Sequence, residues 1–293
     1  MVYTNDRFSK VKQYCIIGAI TKYAPDDVTA FVNSINKTGF TGGRYMITYD
    51  VPSETITYLK ESGFEVVEKD KLPTDLDGKH HVWGTEEWGE YSNPIVVYRF
   101  KHLHQLLTSD NFIYDRAIVV DVKDTIFQSD PSVWMEKNQT HPILVGSESI
   151  LVKDMAWSSV NYRLSFPHLY NTVKNKLSYC AGVIAGDTSE ISRLFIEIFN
   201  LSIKTNHEAE PPDQAAMNML IETDQFNTIT QRVTHTDGWV THLGVSLSDP
   251  KQYTKNLQDK PPIIKDGKIY NHNGELFSII HQYDRLKDFT YKP

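Results

Sequence analysis

Ala117-Ile-Val-Val-Asp121-Val-Lys-Asp124-Thr-Ile-Phe-Gln128-Ser-Asp130-Pro131 is the stretch whose reading decides the fold. It opens on four apolar residues, Ala117 to Val120, and ends them on a carboxylate. A run without polar alternation is what a strand buried on both faces of a parallel sheet requires. Ligands of open α/β sheets gather outside the carboxyl ends of the strands. Asp121 therefore falls at the mouth of an expected site, with Lys123 and Asp124 directly behind it. Carboxylate oxygens suit Mg2+ or Mn2+, which bridge diphosphate oxygens and offset charge on a leaving group. The same spacing also suits a solvated turn in which Asp124 caps the next element. Spacing alone leaves both readings open.

Upstream, strands and helices alternate. Tyr14–Ile20 reads as a buried strand. Pro25 opens a helix whose Val28, Phe31, Val32 and Ile35 form one apolar face. Gly39 and Gly42-Gly43 break it. Tyr45–Tyr49 and Phe64–Val67 read as strands on either side of a short helix begun by Pro52-Ser53 and ended by Gly63. A helix is expected from Pro94 to Leu107, with Phe100, Leu103 and Leu107 inward. This alternation predicts an α/β sandwich with a mainly parallel central sheet. Downstream, Ile143–Val145 reads as a strand and Asp213–Ile221 as a helix. Ile191, Leu194, Phe195, Ile198 and Phe199 mark a further amphipathic helix. No linker separates two cores, so one domain is expected over residues 1–293.

The chain has 293 residues, 40% of them hydrophobic, and a net charge of −7. That balance argues against nucleic acid as a partner, because phosphate backbones need clustered Lys and Arg. Cys15 and Cys180 are the only cysteines, too few for a disulfide framework. No apolar run is long enough for a membrane span, and no signal-peptide pattern is present. A cytoplasmic location is the simple expectation, with a Golgi lumen the alternative if an anchor precedes the chain. Three Asn-x-Ser/Thr triplets, at Asn36, Asn138 and Asn200, carry little weight without a secretion signal.

The acidic segment resembles the extended motif of GT-A glycosyltransferases, in the nucleotide-diphospho-sugar transferase families with an Asp-x-Arg/Lys-Asp-x-x-Phe-Gln-x-Asp-Pro pattern. Four further segments agree in order. Arg99-Phe100 lies where these families often carry an arginine. Tyr179-Cys-Ala-Gly182-Val-Ile-Ala-Gly186 resembles their acceptor-side strand, Asp213-Gln214-x-x-x-Asn218 their Asp-Gln helix start, and His281-Gln-Tyr-Asp-Arg285 their terminal His-Gln-Tyr-Asp. The resemblance covers residues 14 to 285. It implies a Rossmann-like α/β/α GT-A domain, with a nucleotide-binding half over 14–125 and an acceptor and sugar half over 126–293. It implies hexosyl or pentosyl transfer from a nucleotide-sugar donor, foremost a UDP-sugar, to a carbohydrate or glycoconjugate acceptor. The cofactor would be Mn2+ or Mg2+, held by Asp121, Asp124 and the late His281. Thr21, Arg99, Asp121, Lys123, Gly182 and Gln214 are the candidate donor contacts. Asp213 is the candidate catalytic carboxylate: the base of an inverting enzyme, or a holder of donor hydroxyls in a retaining one. Two departures stand out. Lys123 occupies the third position of the usual Asp-x-Asp and offers a counter-charge to phosphate. Cys180 stands where many relatives have Asn.

A sugar-1-phosphate nucleotidyltransferase would want a Gly-rich, Arg-containing loop after the first strand. Gly18-Ala-Ile-Thr-Lys22 has one glycine. A haloacid-dehalogenase-type phosphatase would want Asp-x-Asp-x-Thr, and here the second carboxylate falls one position late. A non-catalytic sugar- or nucleotide-binding module is the third alternative, separable by nucleotide and metal affinity. Residues 69–92, with Trp83, Trp88 and Tyr91, read as a lid. Trp239 and His242 read either as an acceptor platform or as core.

Overall fold

The computed structural model describes residues 13–69, 93–205, 211–223, 225–246 and 259–286, with Phe289 and Tyr291. The expected lid over 69–92 lies outside the described residues, except for Lys69, which ends the third strand. Strand–helix units come first: β1 (Tyr14–Thr21), α1 (Pro25–Thr38), β2 (Gly43–Tyr49), α2 (Ser53–Glu61), β3 (Glu65–Lys69), α3 (Asn93–Leu107) and β4 (Arg116–Val120). The chain continues through β5 (Thr125–Phe127), α4 (Pro131–Asn138), β6 (Ile143–Leu151), α5 (Ala156–Ser165), α6 (Tyr170–Val173), β7 (Leu177–Asp187), α7 (Thr188–Ser202) and α8 (Asp213–Thr223). Short pieces close it: β8 (Thr230–Val233), β9 (Val240–His242), α9 (Leu243–Ser246), β10 (Ile263–Lys265), β11 (Lys268–Tyr270) and β12 (Ile279–His281).

Local chemistry explains several of the ends. Pro25 takes the first position of α1, where its missing N–H costs nothing. The Asp27 carboxylate accepts the Ala24 N–H at 3.0 Å. Gly39 closes α1 at φ 76°, a left-handed turn that a residue with a Cβ enters only under strain. Asp130 caps α4 by accepting from the Ser132 N–H at 2.9 Å, so the capping role falls to Asp130 rather than to Asp124.

Seven strands form the central sheet in the order β3-β2-β1-β4-β7-β6-β8. β1 pairs in parallel with β2 and β4, β2 with β3, and β6 with β8. β7 runs antiparallel to both of its neighbours. The expected mainly parallel sheet is present, and alternate side chains along its strands enter two cores. Cys15, Ile17, Ala117 and Val119 pack with Phe100, Phe195 and Ala216 on one face. Ile16, Ile118 and Val120 pack with Phe31, Val32, Leu59 and Met135 on the other. Helices on both faces make this a Rossmann-like α/β/α sandwich.

β2 and β4 lie on opposite sides of β1. A crevice therefore opens at the carboxyl ends of β1 and β4, where strand order reverses. A smaller sheet, β5-β12-β9, packs beside that crevice. β6 runs well past Val145, and its continuation carries the buried polar residues Ser147, Glu148 and Ser149. Among the described residues, no helix is long and apolar enough to cross a membrane.

Candidate active site

β4 delivers Asp121 to the crevice, where its N–H donates to the Gly182 carbonyl of β7 at 2.8 Å. β5 pairs antiparallel with β12 so that Thr125 faces His281. The Tyr283 N–H adds a bond to the Asp124 carbonyl at 3.2 Å. This pairing brings the end of the chain to its middle. His281 Nε2 lies 3.7 Å from Asp121 Oδ2 and 3.5 Å from Asp124 Oδ1. One ligand-type atom from each of the three residues lies within 4.8 Å of the others. Gly182 keeps the cluster open, since a Cβ there would stand 2.7 Å from Asp121 Oδ2 and 2.8 Å from His281 Nε2. Two carboxylates and one imidazole form a donor set that fits Mn2+ or Mg2+.

Arg99 of α3 reaches the same point. Its guanidinium donates to Asp121 Oδ1 and stands 3.6 Å from Asp213 Oδ2. It thus spans carboxylates from β4 and α8. Burial pushes the Asp121 carboxyl up, but Arg99 and His281 outweigh it and hold the group well below the usual range. At Asp213 burial wins over the pull of Arg99, and the carboxyl rises to about 6. Asp213 is the first residue of α8, and the Pro212 carbonyl accepts the Ala216 N–H at 2.8 Å. The Asp213 side chain lines the cavity beside α8, and its carboxylate also takes the backbone N–H groups of Asp213 and Gln214 at the helix start.

His281 has a second set of neighbours. β9 pairs with β12 in register, His242 beside His281, and their Nδ1 atoms are 2.9 Å apart. Cys180 Sγ lies 3.6 Å from the same His281 nitrogen. Burial pushes the Cys180 thiol up to about 11. Burial also pulls His281 down, yet Cys180, Asp121 and Asp124 together raise it well above the usual histidine range. His242 is held well below that range by burial and by His281.

Two cavities meet at the acidic pair. One, of 270 Å3, opens on the β1 side and is lined by Thr21, Tyr23 and Lys123 among others. The other, of 410 Å3, lies toward β7 and α8 and is lined by Glu148, Trp157, Gly182, Asp213, Gln214 and His281 among others. Arg99, Asp121, Asp124 and Arg285 border both. Thr21, Arg99, Asp121, Lys123, Asp124, Gly182, Asp213, Gln214 and His281 all line one cavity or the other. Lys123 sits at the rim, with its Nζ 3.0 Å from Asp27 and 5.4 Å from the Tyr23 ring centre. Gln214 Nε2 donates to Glu148 Oε2 at 3.1 Å, and its Oε1 accepts the Ala181 N–H at 3.3 Å.

Trp239 and His242 are 0% and 2% exposed, so neither offers a surface to an acceptor. Trp239 belongs to the core, 6.0 Å from Trp134 between ring centres. Sequence reasoning missed Tyr23, Glu148, Trp157 and Arg285. Only Arg285 left a signal, as the last residue of His281-Gln-Tyr-Asp-Arg. It stands 3.6 Å from Asp124 Oδ2.

No protein-family model matches the sequence, and no curated protein matches it. Among solved structures, the apo form of the bifunctional glycosyltransferase WbbM superposes with a TM-score of 0.55 at 9% identity. The match covers 93% of this chain and 46% of that one, so the chain spans less than half the length of that enzyme. The fold is glycosyltransferase-like.

Proposed function

We propose that this chain moves a sugar from a nucleoside-diphosphate donor to a hydroxyl of a carbohydrate or glycoconjugate acceptor. The observation that carries the reading is the Asp121, Asp124 and His281 cluster at the junction of two cavities, at the carboxyl end of a central strand. The likeness in fold to a glycosyltransferase supports it.

In this reading the β1-side cavity takes the nucleotide, with Thr21 at its floor and Lys123 at its rim. UDP is the nucleotide of first choice. The cavity between β7 and α8 takes the sugar, and the diphosphate lies at the junction. Asp121, Asp124 and His281 hold Mn2+ or Mg2+, which when bound offsets the charge that grows on the departing diphosphate. Arg99 keeps Asp121 ionised and fixes the direction of its carboxylate, while Arg285 stands 3.6 Å from Asp124 Oδ2. Asp213, with its carboxyl near 6, is largely ionised at neutral pH. It is then able to accept a proton from an attacking hydroxyl, the role an inverting enzyme requires. In a retaining enzyme the same carboxylate would hold donor hydroxyls.

The test is transfer assayed with a panel of nucleotide sugars, with Mn2+ and in excess EDTA, for the parent and Asp124→Asn. Metal-dependent transfer is expected, and Asp124→Asn is expected to fold and lose most of it. Full activity in EDTA would move the counter-charge role to Lys123. Absence of any nucleotide or metal affinity would leave a non-catalytic sugar-binding module.

A further inference from the structure

β6 carries a carboxylate that the ion cluster does not use. Glu148 is 3% exposed, and its donors are neutral. Ser178 Oγ gives 2.7 Å and Gln214 Nε2 3.1 Å, both to Oε2. Among the described residues no hydrogen bond reaches Oε1 and no cation pairs with the group. Burial pushes the Glu148 carboxyl up, against the Ser178 hydrogen bond, the charge of His281 and the Gln214 hydrogen bond, which favour its ionised form. The cavity that Glu148 lines therefore meets a carboxylate whose Oε1 takes no hydrogen bond from a described residue.

The surroundings indicate the ligand's chemistry. Glu148 lines the 410 Å3 cavity together with Trp157. The Trp157 indole Nε1 is itself buried without a hydrogen-bond partner among the described residues. Val96, Met155, Ala181 and Pro211 supply an apolar frame. A carboxylate oxygen left uncommitted by the described residues and an unpartnered indole N–H, set in an apolar frame, suit a polyhydroxylated ring, whose hydroxyls both give and take hydrogen bonds. Ser178 and Gln214 come from β7 and α8, so the acceptor is fixed in place before a ligand arrives.

We propose that Glu148 forms a subsite for the transferred sugar, with Oε1 accepting a hydroxyl hydrogen of the ring. This rests on the donor reading given above. It separates the duties of the two buried carboxylates: Asp213 faces Arg99 and the reacting centre, while Glu148 takes a hydroxyl and sets which sugars fit.

Calorimetry without acceptor tests the subsite. Parent and Glu148→Gln are titrated, in the presence of Mn2+, with UDP and GDP and with UDP-glucose, UDP-galactose, UDP-N-acetylglucosamine and GDP-mannose. The amide of Glu148→Gln still accepts from Ser178 and Gln214 but turns an N–H to the cavity. Its affinity for the preferred nucleotide sugar is expected to fall about ten- to a hundredfold, with the free nucleoside diphosphate unchanged. Equal losses for nucleotide and nucleotide sugar, or none for either, would overturn the subsite. A parent that binds none of the six ligands would instead remove the donor reading, and the subsite with it. If Glu148→Gln fails to give a cooperative melt, Glu148→Asp keeps the charge and withdraws its reach, and the same selective loss is expected.

Discussion

Asp121 and His281 owe their ionisation to neighbours from other parts of the chain. His281 is a case in point: one imidazole nitrogen faces Asp121 and Asp124, the other faces His242 Nδ1 at 2.9 Å. A metal-bound histidine nearly always donates its second N–H to an acceptor that fixes tautomer and orientation. Under the proposed function His242 supplies that acceptor. His242→Leu is expected to weaken Mn2+ binding roughly 10- to 100-fold. His242→Asn keeps an acceptor oxygen and should recover part of the loss. Titration of Mn2+ followed by electron paramagnetic resonance decides it, and equal affinity in all three proteins would reduce His242 to a packing role. Asp213 lends itself to a pH test. Its carboxyl is raised to about 6, so its ionised fraction grows as pH climbs through that value. If Asp213 is the base, kcat/KM should rise between about pH 5 and 7 and then level off. Asp213→Asn should abolish the rise and lower turnover by roughly two or more orders of magnitude. The sign for stability is opposite. A carboxyl raised on folding stabilises the fold only while protonated, and that contribution is lost as pH rises from the unfolded value of about 4. Asp213→Asn should therefore melt higher than the parent above about pH 6. A flat pH profile together with parental turnover in Asp213→Asn would remove the residue from the mechanism.

Much of what looks like a catalytic signature proves, at the level of elements, to be architecture. In the acidic segment Phe127 enters the core, Asp130 caps α4 and Pro131 begins it. Gln128 Nε2 donates to the Ile269 and Phe277 carbonyls at 2.8 and 3.0 Å, and its Oε1 accepts the Ile269 N–H at 2.9 Å. It thereby clamps the chain leading into β12, and with it His281. Asn218 does the same for α8, taking the Tyr179 N–H and donating to the Tyr179 and Gln214 carbonyls. Gln128→Ala strands these backbone groups and should cost about 2–4 kcal/mol, read from urea unfolding. It should also weaken Mn2+ binding although Gln128 touches no ligand atom. A loss of stability with metal affinity intact would show that β12 holds His281 without the clamp. The same elements explain what the sequence disclosed. β1, β2 and β4 are buried on both faces and read as apolar runs, and α1 and α7 are strongly one-sided, so the sheet and its helices were legible. The three-residue strands β5, β9 and β12 are too short to show a period. β6 reads as stopping at Val145 because its continuation is polar: Ser147 and Ser149 bond to Ser178 and His235, and Glu148 lines a cavity. That is why Glu148 stayed hidden while Asp121, at the end of a clean apolar strand, did not. Arg99 was legible as a site residue, but its two carboxylate partners come from β4 and α8 and no local pattern announces them.

Over the whole molecule, the division into a nucleotide half, 14–125, and a sugar half, 126–293, describes the expected duties of the chain but not its packing. One core joins Cys15, Phe100 and Ala117 to Ile143, Phe195 and Ala216, and the other joins Ile16 and Val120 to Leu144, Val183 and Ile279. Tyr98 and Phe100 of α3 meet Phe199 and Phe195 of α7 with ring centres 5.2 and 5.5 Å apart. Cut after residue 125, the sheet would end at β4 with the edge that β7 now covers laid bare. Each large aromatic deprived of its neighbours forfeits about 1.5–3 kcal/mol, and a domain has only about 5–15 kcal/mol to lose. A fragment of residues 1–125 is therefore expected to show no cooperative thermal transition and no nucleotide affinity, although it contains Thr21, Arg99, Asp121 and Asp124. The full chain should melt in one step. The proposed donor site draws on elements from β1 to β12, so Mn2+ with UDP at a hundredfold excess over Kd should stabilise the whole chain by about 2.7 kcal/mol. Calorimetry of the full chain and circular dichroism of the fragment provide the check. A fragment that melts cooperatively and binds nucleotide would show that the two halves are separate folding units which merely share a site.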